Sequence, residues 1–288
     1  MKNFNNFNEF LHQDKPKLLW HYTSLTALNG IISNENKLSF WVTEINYLND
    51  KSEYMHGLSI IKQTYNKFRN ENKNNPLASG FLERVDPFFI FHNGDTTSTL
   101  DQETGVFVLS FTESKDLLSQ WRAYTPQCHG VSIGIDPNFQ SILQGKSILY
   151  PVIYNEKFQL EYAEHLFNDA FGRFAKGEDI SSLHNNNVMA YFFATIKAAC
   201  SLMKSDSFSE ESEWRYIIYG ENIKNIKFRE SEYYLIPYIN LDIENKNLKN
   251  IIIGPNPHNE LCKKSLDLLL KKSNIPAAVA YSRIPFRG

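Results

Sequence analysis

Cysteine is scarce in this 288-residue chain, and the three present, Cys128, Cys200 and Cys262, stand far apart and in odd number. That excludes a disulfide framework and a paired CxxC metal site, and it fits a reducing compartment. Each thiol is expected to be a small buried hydrophobe. Neither sign of charge is in excess: 30 basic residues face 32 acidic ones, a formal net charge of −2. A polybasic nucleic-acid or anionic-membrane binder is therefore excluded for the chain as a whole, while a local groove for either stays open. Long apolar runs are missing too. No stretch approaches 18 uninterrupted apolar residues and Met1–Phe7 holds no apolar h-region, so neither a membrane span nor a secretory signal is expected, and the expected location is the cytoplasm. Also absent are a GxGxxG turn opening a helix, a GxxxxGK[ST] loop, an HExxH pair and a serine-hydrolase elbow. A Rossmann dinucleotide domain, a P-loop NTPase, a zinc hydrolase and an α/β-hydrolase are unsupported.

What is present is apolar and aromatic. Hydrophobic residues make up 42% of the chain and aromatics 14%, enough to build a substantial core and to exclude wholesale disorder. A short polar helix is expected near residues 3–13, within an N-terminal helical extension over 1–17, and residues 18–288 read as one α+β domain. Leu18–Tyr22 reads as a strand, Thr23 and Ser24 as caps, and Leu25, Leu28, Ile31 and Ile32 repeat at helical spacing. A second strand follows at Leu38–Val42. Helices are expected over 51–69 and 77–91, a central strand over Val106–Phe111, a short helix over 116–124, and strands over Gly130–Ile135 and Ile148–Tyr154. Two long helices near 157–176 and 184–204 precede the next strand. Further strands at Tyr233–Ile239, Asn250–Ile253 and Ala277–Ile284, with a helix over 258–272, complete a mixed or antiparallel twisted sheet surrounded by helices.

The run Glu211-Ser212-Glu213-Trp214-Arg215-Tyr216 is the most informative stretch. Alternation predicts a strand with Glu211, Glu213 and Arg215 on one face and Ser212, Trp214 and Tyr216 on the other. Two carboxylates about 7 Å apart along a strand repel unless something uses both, and an aromatic opposite face fixes where they point. A catalytic pair would be mounted in this way. The bland alternative is a solvated face on which Arg215 balances the acids.

Three other groups stand out. His21 lies in Trp20-His21-Tyr22-Thr23-Ser24, at a strand end before a helix N-terminus that offers free N–H groups to a nucleotide; beside two aromatics it also reads as a core histidine. Asn49 and Asp50 precede a helix, with Glu53 in capping-box register, and capping alone accounts for both acids. Ser110 ends the central strand, and the following helix carries Trp121, Arg122 and Tyr124, whose rings can hold a planar base or pack in the core.

Taken together these pieces resemble the bacterial domain of unknown function 2971 family, from Trp20 to Arg287. The matching residues are His21-Tyr22-Thr23-Ser24, Leu48-Asn49-Asp50 with Glu53, Leu109-Ser110-Phe111 leading to Gln120-Trp121-Arg122-Ala123-Tyr124, Gly130-Val131-Ser132-Ile133-Gly134, the glutamate run, Ile253-Gly254-Pro255, and Ser282 to Arg287. That name carries no activity. A second resemblance, from His-Tyr-Thr on an early strand to Glu-x-Glu on a late one, is to the ADP-ribosyltransferase fold, including toxin or defence effectors that modify nucleic acid. It implies NAD as substrate and no metal. His21 would bond a ribose hydroxyl, Tyr22 and Thr23 would help place the dinucleotide, Ser110 would brace the site, and Tyr124 or Trp121 would stack on nicotinamide. Glu213 would stabilise the charge that develops as the glycosidic bond breaks, Glu211 would orient or deprotonate an acceptor, and Arg215 would be structural.

Three functions follow from the same residues. One is an NAD-consuming transferase or glycohydrolase with a protein, nucleic acid or water as acceptor. Another is a phosphodiesterase in which Asp50, Glu53, Glu211 and Glu213 gather around Mg²⁺ or Mn²⁺. The third is a sensor or interaction module that binds a nucleotide, peptide or partner without turnover.

Overall fold

The computed structural model describes residues 4, 6–32, 36–48, 51–90, 105–125, 129–139, 146–178, 188–219 and 223–285. Among these, ten strands form one sheet. In chain order the elements are α1 (Phe7–Leu11), β1 (Leu19–Thr23), α2 (Leu25–Ile32), β2 (Lys37–Glu44), α3 (Lys51–Glu71), α4 (Pro76–Ile90), β3 (Val106–Thr112), α5 (Leu118–Tyr124), β4 (Val131–Ile135) and β5 (Lys146–Pro151). There follow α6 (Glu156–Ala175), α7 (Val188–Cys200), β6 (Glu213–Tyr219), β7 (Lys227–Glu230), β8 (Leu235–Glu244), β9 (Leu248–Ile253), α8 (Asn259–Lys272) and β10 (Ala278–Tyr281). Every pairing is antiparallel except β9 with β10, so the α+β class and the mixed, mostly antiparallel sheet expected from the sequence are what the chain forms.

The central strand β3 divides the sheet. One edge pairs with β6 along the whole of Val106–Thr112. The other edge is shared: β1 meets it at Trp20↔Thr112, and β2 meets it at Thr43↔Val108 and Glu44↔Phe107. Between those two contacts the strands diverge, and the stretch Leu109–Phe111 faces a gap. β1 then continues to β4, β9 and β10, while β2 continues to β8 and β7.

Strand alternation sorts side chains into two layers. Phe107, Leu109 and Phe111 of β3 join Trp214, Tyr216 and Ile218 of β6 in the main core, which α2 covers with Leu28, Ile31 and Ile32 and α8 with Leu266 and Leu270. On the opposite face Val106, Val108 and Ile217 pack under Ala198 and Leu202, at the end of α7. Behind them α3, α4, α6 and α7 form a second, phenylalanine-rich core. The N-terminal α1 sets Phe10 against Phe158 of α6.

Glycine at position 57 decides how closely two of these helices approach. A Cβ there would lie 2.6 Å from the Cys200 backbone, inside any tolerable contact. Gly57 sits one turn after Glu53 in α3, and Cys200 four residues before Lys204. Close docking of the two helices therefore brings Glu53 and Lys204 together.

Candidate active site

The strand expected to carry both glutamates begins two residues late. Glu211 ends a 3₁₀ turn over Asp206–Glu211, Ser212 is left-handed (φ 44, ψ 52), and only Glu213 and Arg215 stand on β6. The left-handed residue reverses the chain so that Glu211, although off the strand, points back toward Glu213. A non-glycine residue held there costs about 1 kcal/mol. The Thr112 hydroxyl bonds the Glu211 carbonyl, and the Ser212 carbonyl accepts from the Glu113 amide at 3.1 Å, pinning the turn to the end of β3.

Five charged groups converge here. Lys204 Nζ lies 2.7 Å from Glu53, 2.6 Å from Glu211 and 3.4 Å from Glu213. Arg215 grips both oxygens of Glu213, Nε at 2.7 Å and Nη2 at 3.0 Å, and donates from Nη2 to Glu53 at 2.6 Å and from Nη1 to the Ser201 carbonyl at 2.6 Å. Glu53, expected as a helix-capping acid, turns its carboxylate to Lys204 and Arg215, while Asp50, its partner in the expected capping box, lies outside the described residues. Lys204 had no motif around it in the sequence. Its place comes from tertiary packing, with Gln159, wholly buried, donating to the Ile153 and Lys204 carbonyls at 2.6 and 2.9 Å.

Three carboxylates against two cations leave one unit of negative charge. Burial pushes the Glu213 carboxyl up, but Arg215, Lys204 and the Ser110 hydroxyl outweigh it and the net shift is downward, so Glu213 is ionised. Burial also works against the Lys204 charge, yet the three glutamates hold its ammonium above the ordinary value. Glu211 goes the other way. Its burial is only partly offset by Lys204, and its carboxyl is raised. The excess charge reaches Tyr124, whose phenol is pushed up to about 12 by burial and by Glu213 and Glu211.

His21 meets this cluster through the gap in the sheet. Cross-strand partners share a face, so the pair Trp20↔Thr112 puts Trp20 and Tyr22 on the side of Ser110 and Glu213, and alternation alone would put His21 on the opposite side. Because β1 leaves β3 there, the imidazole bonds the Ser110 carbonyl through Nδ1 at 2.9 Å, flanked by Phe40 and Phe111 at 5.8 and 5.9 Å. His21, Ser110, Tyr124, Glu211 and Glu213 all border one small pocket of about 40 Å³. Burial lowers the His21 pKa despite the bond to Ser110, so the ring is neutral at pH 7. A carbonyl can only accept. The proton therefore sits on Nδ1, and Nε2 presents its lone pair.

Beside the small pocket lies a cleft of about 660 Å³ that shares His21, Ser110 and Tyr124 with it and extends past Thr23 to Trp41, Thr43 and Arg229. This volume is that of a site for a nucleotide-sized ligand. Tyr124 is 42% exposed and lines both compartments, as an aromatic clamp would. Trp121 is not available for stacking: it is fully buried, lies edge-on to Tyr22 at 4.6 Å and donates to Asp116 at 2.8 Å. Tyr22 is also spent. Although its ring borders the small pocket, its hydroxyl donates to the Ser114 carbonyl and accepts from the Leu117 amide. Asn49 and Asp50 lie outside the described residues. Sequence reasoning missed Gln120 of α5, buried at the rim of the small pocket, and Arg229, in a strand too short and polar to read as one.

Fold and site together define a class: an α+β protein with a sheet split at its central strand, where a neutral histidine and a carboxylate–cation cluster share a cleft. Residues 120–216, about a third of the chain, match the model of a family described as protein of unknown function (DUF2971). That segment carries Tyr124, Gly130–Gly134, Lys204, Glu211, Glu213 and Arg215, while the pieces around His21, Glu53, Ser110, Gly254 and Ser282 lie outside it. A search of curated proteins and one of solved structures returned no match.

Proposed function

We propose that this protein binds NAD⁺ in the cleft and cleaves the bond between nicotinamide and ribose, passing the ADP-ribosyl group to water or to a nucleophilic acceptor. One observation carries the reading: His21 with a free Nε2 acceptor, and Glu213 with its negative charge, border the same pocket. In this mechanism Nε2 accepts a ribose hydroxyl, and Tyr124 lies against the nicotinamide ring. As the C–N bond breaks, its electron pair leaves with neutral nicotinamide and the ribose carbon becomes cationic, a charge that the net negative cluster favours. Glu211, with its raised carboxyl, takes the proton released when the acceptor oxygen or nitrogen bonds that carbon.

The test is to incubate the full chain with NAD⁺, alone and with lysate protein or nucleic acid, and to measure nicotinamide release. No release under any of these conditions, together with an unimpaired Glu213→Gln protein in cells, would sink the reading.

A second reading has its own support. Both Glu213 oxygens are held by Arg215, the arrangement of a structural ion pair, which favours a nucleotide-binding module without turnover. Tight NAD⁺ binding with no product would select it. The phosphodiesterase reading loses ground because Glu53, Glu211 and Glu213, which it assigns to a divalent cation, converge instead on Lys204 and Arg215.

A further inference from the structure

The far end of the cleft is built unlike the end at Glu213. Arg229 is the one partly buried residue of the edge strand β7. Its guanidinium carbon lies 5.5 Å from the centre of the Trp41 ring, whose nearest aromatic neighbour is Tyr238 at 4.9 Å, and Nη2 donates to Thr43 at a long 3.3 Å. Among the described residues no carboxylate is within ion-pair distance of it. Two buried polar atoms here have no hydrogen-bond partner among the described residues: Arg229 Nε and Asn240 Oδ1. Lys204 and Arg215 are both paired with glutamates, whereas this guanidinium is held against an indole with its Nε idle.

The register places this group where a ligand from the catalytic pocket would arrive. Thr43 pairs with Val108 of β3 and Trp41 with Asn240 of β8, so Arg229, Trp41, Thr43 and Asn240 share the sheet face of Ser110 and Glu213. All four line the same 660 Å³ cleft as His21 and Tyr124, and among the described residues Arg229 is the sole charged residue in that lining. The trough is thus anionic at the Glu211–Glu213 end and cationic at the Arg229 end.

We infer that Arg229, with Thr43 and Asn240, forms a subsite for the diphosphate of a nucleoside diphosphate, and that the cleft fixes a ligand's direction by charge. A guanidinium presents parallel N–H groups to phosphate oxygens, Nε together with one terminal nitrogen, and Nε is the donor left idle here. Turning the Asn240 amide about its terminal torsion would present its NH₂ to the same oxygens. The direction assigned to the ligand rests on the NAD⁺ reading above. The anion subsite itself does not.

Calorimetric titration of the full-length protein with ADP, and with adenosine as the uncharged control, tests the subsite. The expectation is that Arg229→Gln weakens ADP 10-fold or more, leaves adenosine unchanged, and flattens the salt dependence of ADP binding, with Arg229→Lys intermediate because it keeps charge without the fork. Thr43→Val, which leaves Arg229 in place, should weaken ADP by a smaller factor and serves if Arg229→Gln fails to fold. Failure of ADP to bind the unmodified protein, equal ADP affinity in Arg229→Gln, or an equal loss for adenosine would each overturn the subsite. Nicotinamide release measured in parallel separates the two claims. Arg229-dependent ADP binding without release keeps the subsite and removes the enzyme, whereas release with ADP affinity indifferent to Arg229 does the reverse.

Discussion

Glu53 and Arg215, separated by 162 positions in the sequence, are joined by a hydrogen bond of 2.6 Å. Through it the helical layer and the sheet share one ion-pair network at the floor of the cleft. Arg215→Met should therefore destabilise the fold by about 3–5 kcal/mol, because it strips the bidentate partner from a buried carboxylate. Urea unfolding followed by circular dichroism checks this, and a loss under 1 kcal/mol would show the network to be ornamental.

Glu213→Gln should reduce nicotinamide release by about 100-fold or more, roughly 3 kcal/mol of transition-state stabilisation, with a smaller change in KM for NAD⁺. Thermal melts of the same protein separate this from unfolding, since the amide keeps the shape of the side chain. Equal kcat in both proteins would remove Glu213 from the chemistry.

The pH behaviour follows from the shifts. Glu213 is held below its ordinary value, so its contribution to stability is complete above the unfolded value near 4.5 and is lost as pH falls through the lower folded value. His21 is also lowered. The unfolded chain takes up that proton first, so stability is full above about 6.5 and declines as pH falls below it. If, as proposed, neutral His21 accepts a ribose hydroxyl, KM for NAD⁺ should be flat from pH 7 to 8 and should not improve below 6.5. Acceptor transfer should rise with pH through a value above 4.5 set by Glu211, and Glu211→Gln should abolish that limb.

The two aromatics of α5 should separate cleanly. Tyr124→Ala is expected to raise KM for NAD⁺ several-fold while leaving the melting temperature within about a degree. Trp121→Ala removes a fully buried indole and should cost about 3–5 kcal/mol of stability. The reverse pattern would make Trp121 the ligand-facing ring.

Gly57→Ala should lower stability by about 1–3 kcal/mol, because the added methyl meets the Cys200 backbone and neither helix can yield locally. Lys204 should lose its Glu53 partner in the process. A spin label or fluorophore pair across α3 and α7 would report the separation, and an unchanged distance with unchanged stability would refute the close-docking argument.

Much of this architecture was legible in the sequence, for reasons that are local. The α+β class and the β1–α2–β2 opening follow from periodicity, and Leu28, Ile31 and Ile32 lie inward as their spacing requires. The short polar strand β7 did not follow, since its Lys227-Phe228-Arg229-Glu230 sequence carries no apolar alternation and is set by pairing with β8. In the site, Glu213 and Arg215 stand as alternation predicts, but Glu211 does not, because the left-handed turn at Ser212 is invisible in a pattern of residue types. Lys204 was illegible for a different reason, since its role exists only when α3, α7 and β6 meet; the sequence brings Glu53 to Glu211 and Glu213 only around a divalent cation, whereas Lys204 and Arg215 hold it there. The gap that brings His21 to Glu213 comes from two strands sharing one edge of β3, a relation no window of sequence contains.

The five-charge cluster also constrains how such a chain can vary. Residues 120–216 hold Lys204, Glu211, Glu213 and Arg215, yet the segment lacks Glu53, His21 and the strand β3 against which β6 is laid. Cut out alone it would have balanced charges and no cleft. Within the whole chain a neutral residue at 204 would strand a third carboxylate beside two others, so a tolerated change there calls for a matching change at 53 or 211. Positions 53, 204, 211, 213 and 215 should therefore be inherited as a set, and a relative that breaks the set at one position while keeping the other four should have lost the pocket's excess negative charge or doubled it.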